Sequence, residues 1–151
     1  MVSISIQTED FDLATEYALL RQDSPVIGAI VTFCGLVRDF DQGKGHSLSL
    51  EHFPGMTEKM LIAIIAKAKQ RWPIINARIV HRIGKLSLGE QVVFVGVNSE
   101  HRSSAFQACE FIIDFLKTQA PLWKKAHTRT GDYWIEAKAC DHKATHKWRE
   151  R

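Results

Sequence analysis

Val26-Ile27-Gly28-Ala29-Ile30-Val31-Thr32-Phe33-Cys34-Gly35-Leu36-Val37 is nearly continuous in apolar and β-favouring residues, and this stretch decides the fold class. So long a run predicts a strand buried on both faces, ending where Arg38 begins. No helix follows it. Asp39 to His46 carries Asp41, Gly43 and Gly45 without apolar periodicity and reads as a mobile loop. Ser47-Leu48-Ser49-Leu50-Glu51-His52 then alternates as a second strand.

Working outward, the N-terminal Val2 to Gln7 alternates as a strand, and Asp10 or Asp12 offers an N-cap for a helix running to about Leu20, ended by Asp23-Ser24-Pro25. Pro54-Gly55 turns the chain into the clearest amphipathic helix. It is expected to be capped by Thr57, to run to Trp72, and to place Met60, Leu61, Ile64, Ile65 and Ala68 on one face. Arg78 to Ile83 and Gln91 to Asn98 read as strands separated by turn residues Leu88-Gly89-Glu90. A third long helix starts near Ser103 or Ser104, is expected to bury Phe106, Cys109, Ile113 and Leu116, and stops before Pro121 with Lys117 in its last turn. Trp123 to Thr128 and Tyr133 to Ala139 can pair across Arg129-Thr130-Gly131-Asp132. Strands and helices do not alternate regularly enough for a doubly wound sheet, so the expected class is α+β with three main helices. The expected organisation is one domain over residues 1–139, followed by a polar basic tail over 140–151.

At 151 residues, 45% hydrophobic and 25% charged, the chain has the composition of one soluble globular unit. The N-terminus lacks the basic start and apolar block of a signal peptide, so a cytoplasmic location is expected and no membrane association. Three cysteines, Cys34, Cys109 and Cys140, form no C-x-x-C pair, which argues against a disulfide framework or a structural zinc site. Cys34 inside an apolar strand reads as a core residue with a raised thiol pKa. His142 and His146 have i,i+4 spacing but no third ligand in register, so no metal site is assigned. A net charge of +3 allows an anionic ligand without the basic stripe expected of a nucleic-acid binder.

Three basic clusters fall at element ends or in loops: Arg38, the pair His101-Arg102, and the run Lys117 to Lys125. His101 and Arg102 precede a helix whose first N–H groups are unpaired, a suitable place for phosphate. Pro121 breaks the helix between Lys117 and Lys124 and lets the chain turn, so both ammonium groups can face one cleft. There, like-charge proximity and desolvation favour the neutral amine that acid–base or covalent work requires. The same residues also suit a solvated surface, with Lys117 complementing a helix C-terminus. Spacing alone leaves both readings open, and it leaves a non-catalytic module that holds a phosphorylated ligand or a protein tail as the competing function.

Longer motifs carry more. Val31-Thr32-Phe33-Cys34-Gly35-Leu36-Val37-Arg38, Leu50-Glu51-His52-Phe53-Pro54-Gly55-Met56-Thr57-Glu58-Lys59, His81-Arg82-Ile83-Gly84 and Leu88-Gly89-Glu90 occur in that order. They are followed by Val93-Phe94-Val95-Gly96-Val97, His101-Arg102-Ser103-Ser104-Ala105-Phe106, Asp114-Phe115-Leu116-Lys117-Thr118 and Ala120-Pro121-Leu122-Trp123-Lys124-Lys125. Together, from about Ile27 to Ala139, they resemble the large, catalytic subunits of molybdopterin synthase, the MoaE family. The resemblance implies an α/β hammerhead fold with an antiparallel-rich mixed sheet. It also implies a sulfurtransferase that converts cyclic pyranopterin monophosphate into molybdopterin, with no cofactor or metal in this step. Sulfur would come from the C-terminal glycine thiocarboxylate of a small ubiquitin-like carrier subunit, within a heterotetramer built on a dimer of large subunits.

Carried over position by position, the resemblance implies substrate contacts at Leu36, Val37, Arg38, His101, Arg102, Lys117, Lys124, Lys125 and Ala126. Lys117 and Lys124 match the family's catalytic lysines. Lys125 and Lys138 stand where arginine is common, and lysine lacks arginine's bidentate fork. The segment after Ala139 matches poorly and contributes no site.

Overall fold

The computed structural model describes residues 3–22, 24–136 and 139–149. The strands are β1 (Ile4–Gln7), β2 (Ala29–Leu36), β3 (Gly45–His52), β4 (Ile74–Arg82), β5 (Gly84–Ser87), β6 (Gln91–Ser99), β7 (Leu122–Thr128) and β8 (Gly131–Ile135). The helices are α1 (Leu13–Arg21), α2 (Met56–Arg71), α3 (Arg102–Gln119) and α4 (Ala139–His146), with short 3-10 turns at Asp41–Gly43 and Lys147–Arg149. One sheet has the order β1-β4-β6-β2 and the other β5-β3-β7-β8. Among the described residues β1 and β4 run parallel and the other pairs are antiparallel. The expected α+β class, rich in antiparallel pairing, is the observed one.

Period-two alternation explains the layering. On one face of the first sheet Ala77, Ile79, Val93 and Val95 pack against Leu61, Ile64, Ile65 and Ala68 of α2 and Ala108, Cys109, Phe111 and Ile112 of α3. On the other face Val80 and Phe94 pack against Phe11 and Leu20 beside α1. A smaller cluster of Val37, Leu50 and Leu86 joins the second sheet to the end of β2.

Local chemistry sets the element ends. Asp12 caps α1, its carboxylate accepting from Thr15 N at 3.0 Å. The α2 helix is capped at Gly55 (φ 83°), whose N–H donates to the Glu58 carboxylate at 2.5 Å, and not at Thr57 as the sequence suggested. Thr57 lies within the first turn, fully buried. Its hydroxyl accepts from Phe53 N at 3.0 Å and donates to Pro121 O at 2.9 Å, tying α2 to the turn before β7.

Four expectations change. The Val26–Val37 strand is shorter and, in this chain, lies at an edge: β2 pairs with β6 on one side, so its residues are half-buried and Leu36 is 55% exposed. Residues 84–87 form β5, which crosses to the second sheet and pairs with β3. On α3 the buried stripe is Ala105, Ala108, Cys109, Ile112 and Leu116; Phe106, one residue off that stripe, is 62% exposed, and Ile113 is half-buried. Packing also continues past Ala139, where composition suggested a polar tail. There α4 lies along α3, and Trp148 is 3% exposed in the main core, its ring edge-on to Trp72 and Phe111 at 5.5 and 5.6 Å.

Candidate active site

Where β2 ends, its register against β6 shifts between Gly35 and Leu36, a bulge that re-aims the following residues. Gly35 permits the close approach there: a Cβ would stand 2.8 Å from Val93 Cγ1, so one of the two would have to shift. Beyond the bulge Val37 is clamped, its N–H donating to Glu90 O at 2.9 Å and its carbonyl accepting from Gly89 N at 2.6 Å. Buried Arg82 anchors the same turn, donating to Gln91 O at 3.0 Å and to Thr8 O at 3.0 Å. Arg38 is thereby held at the mouth of a cleft of about 730 Å³, a volume typical of small-molecule sites.

The last turn of α3 brings Lys117 to this cleft, and β7 brings Lys124. Leu36, Val37, Leu48, Leu122, Tyr133 and Ile135 add apolar wall, while Asp39, Asp41, Glu136 and Asp141 add carboxylates. The lining thus carries three cations, Arg38 and Lys117 exposed and Lys124 half-buried, beside those four carboxylates. Cations fixed in a partly dry pocket can hold an anionic substrate and stabilise negative charge that develops during reaction.

Five of the nine sequence-selected positions, Leu36, Val37, Arg38, Lys117 and Lys124, line this cleft. The other four do not. Lys125 follows Lys124 on a strand and points to the opposite face, its ammonium 5.6 Å from the Trp134 ring centre. Ala126 points back inward but is fully buried beneath the cleft wall. His101 and Arg102 are exposed at the N-terminal end of α3, fifteen residues from Lys117, which at 1.5 Å per residue is about 22 Å along the helix. Lys138 lies outside the described residues.

Sequence reasoning did not single out His81, on the cleft floor. It is 3% exposed, near the end of β4, and its Nδ1 lies 2.8 Å from Arg82 O. Burial drives its pKa down from 6.5 to about 4 and the charges of Lys124, Lys117 and His52 push the same way, against the backbone hydrogen bond. A histidine interrupting the apolar run Ile79-Val80 was the signal available. Cys34 is half-buried with its thiol pKa raised by burial, as its sequence context implied, and burial pushes Cys109 up to about 12. Neither is poised as a nucleophile.

A small α+β domain with an anion-receptive, lysine-lined cleft defines the class of protein, and comparison narrows it. The model of the MoaE protein family matches residues 6–119. The molybdopterin synthase catalytic subunit of Vibrio cholerae serotype O1 is 51% identical over 146 residues, covering 96% of this chain and 97% of that one. The solved molybdopterin biosynthesis MoaE protein from Burkholderia ambifaria superposes with a TM-score of 0.83 at 48% identity, covering 97% and 98% of the two chains. A solved complex of subunits 1 and 2 of molybdopterin-converting factor from Helicobacter pylori shares the fold at 19% identity, with a TM-score of 0.75 and coverage of 89% and 91%. The chain belongs to the MoaE family.

Proposed function

We propose that this chain is the catalytic subunit of molybdopterin synthase, a sulfurtransferase of molybdenum cofactor biosynthesis. It moves sulfur from the C-terminal glycine thiocarboxylate of a small ubiquitin-like carrier subunit to cyclic pyranopterin monophosphate. The observation that carries this reading is the convergence of Arg38, Lys117 and Lys124 on one cleft in a MoaE-family chain. Arg38 holds the phosphate, and Lys117 and Lys124 serve the transfer. The thiocarboxylate sulfur bonds to a side-chain carbon of the pterin. As the cyclic phosphate opens, the cations stabilise the charge on the leaving oxygen. Water then cleaves the acyl–sulfur bond, freeing the carrier's carboxylate, and a second loaded carrier delivers sulfur to the neighbouring side-chain carbon, whose oxygen leaves as water. The half-buried thiol of Cys34 and the buried thiol of Cys109, both with pKa raised by burial, suit a protein that takes its sulfur from a partner.

His101 and Arg102 enter this scheme through the dimer of large subunits. In one chain α3 holds them about 22 Å from Lys117, so they complete the phosphate site only if that end of α3 meets the cleft of a second copy. With a carrier at each outer end, the assembly is a heterotetramer. The reaction is assigned to the cytoplasm; among the described residues no helix is long and apolar enough to cross a membrane.

The test is reconstitution. Purified chain, thiocarboxylated carrier and the cyclic pterin should give molybdopterin, and free sulfide in place of the carrier should give essentially none. Binding of pterin and carrier without turnover would instead identify a non-catalytic binding module.

A further inference from the structure

The ring of His81 has one nitrogen satisfied and one unused. A carbonyl oxygen can only accept, so the 2.8 Å contact with Arg82 O fixes the proton on Nδ1 and leaves Nε2 with a lone pair. Among the described residues Nε2 has no hydrogen-bond donor, and no fully buried side-chain nitrogen or oxygen lacks a partner. Nε2 is therefore the atom through which this almost completely buried side chain reaches the cleft it lines.

Its surroundings keep it an acceptor. Lys117 approaches from α3, Lys124 from β7 and His52 from the end of β3, with Glu58 of α2 lying 3.6 Å from His52. A proton on His81 would add another cation to a site that already holds two lysines, and it would have to be buried. Burial and these charges both favour the neutral ring. In their charged forms the lysines and Arg38 offer donors only. His81 thus supplies, within reach of the charges of Lys117 and Lys124, a neutral acceptor that does not cancel the attraction for an anion as a carboxylate would.

We propose that His81 is a substrate-binding residue whose Nε2 accepts a hydrogen bond from an N–H or O–H group of the pterin substrate, orienting it beneath Lys117 and Lys124. This rests on the sulfurtransferase reading of the cleft. The pterin, and not the carrier tail, is the proposed donor, and separate titrations with the two ligands tell them apart.

Calorimetry with cyclic pyranopterin monophosphate and, separately, with the carrier tests it on the parent, His81→Gln and His81→Phe. The glutamine keeps an acceptor near the position of Nε2; the phenylalanine fills the space without one. His81→Phe should bind the pterin about tenfold more weakly, the consequence of leaving one buried donor unpaired, with carrier affinity unchanged, and His81→Gln should stay within about threefold of the parent. Nitrogen-15 NMR of the parent's labelled histidine ring supplies a readout that needs no variant to fold. Nε2 should be unprotonated in the free protein and shift on adding pterin but not on adding carrier. Equal pterin affinity in His81→Phe, a protonated Nε2, or a shift produced by the carrier alone would overturn the proposal. Failure of the parent to bind the pterin at all would instead overturn the sulfurtransferase reading, and this assignment with it.

Discussion

Lys124 and Lys125, adjacent in sequence, stand on opposite faces of one sheet: Lys124 lines the cleft opposite Ile135, whereas Lys125 lies over the exposed ring of Trp134. The two should therefore respond differently to truncation. Lys124→Ala should abolish nearly all turnover. Lys125→Ala should lose only the exposed cation–π contact, about 0.5–1 kcal/mol of stability, with turnover within about twofold of the parent. Steady-state assays of both variants beside thermal melts check this, and a collapse of activity in Lys125→Ala would place a substrate group on the outer face.

Arg102 lies too far along α3 from Lys117 to share a cleft within one chain. Arg102→Ala should weaken pterin binding by roughly 1.5–3 kcal/mol, the worth of a charged hydrogen bond to phosphate, and leave carrier affinity intact. At a pterin concentration too low to saturate Arg102→Ala, mixing it with inactive Lys124→Ala should restore activity, because half the cleft sites in mixed dimers would then carry both native residues. Persistent inactivity after proven subunit exchange would put Arg102 outside the site.

Sheet alternation was legible in this sequence, and it separates Lys124 from Lys125 without any coordinates, once Leu122 to Thr128 is read as a strand. The α2 helix was equally plain, since its buried residues recur at helical spacing over four turns. What the sequence could not show was which edges stay open and which elements cross between sheets. An apolar run such as β2 looks the same at an edge as in a sheet centre, and the β5 crossover depends on pairing partners distant in sequence. Residue types at Arg38, His101 and Arg102 revealed cationic character, but their distribution between two ends of the molecule is a tertiary fact.

Trp148 was hidden by its polar neighbours. Its ring packs against Trp72 and Phe111, its Nε1 donates to Asp114 at 2.7 Å, and Arg71 donates to its carbonyl at 2.9 Å. Trp148→Ala should cost about 3–5 kcal/mol, which for a chain of this size lowers the melting midpoint by about 10 °C. A melt unchanged within about 2 °C would show that the C-terminal segment is dispensable to the core.

The depressed pKa of His81 also has a thermodynamic consequence. The folded ring titrates near 4 and the unfolded ring near 6.5, so between those values the unfolded state binds the extra proton. The resulting stability is fully present above about pH 6.5 and is lost as pH falls to about 4, a total of roughly 3 kcal/mol. Urea titrations across that interval should show a steeper loss in the parent than in His81→Gln, which has no group to titrate there. Parallel losses would mean that the ring is not held neutral by the fold.

In the proposed reaction, sulfur transfer depends most directly on Lys117 and Lys124, and replacing either by arginine separates charge from proton chemistry. Lys117→Arg and Lys124→Arg each keep a cation near its place but cannot lose a proton in the accessible pH range. Single-turnover formation of molybdopterin, with loaded carrier and cyclic pterin both bound, is the measurement. Each variant should bind both ligands yet form product at least about a hundredfold more slowly than the parent, a barrier increase of about 2.7 kcal/mol. Product formation within about tenfold of the parent in both variants would contradict the assignment of these lysines to the chemical step and leave them as fixed cations.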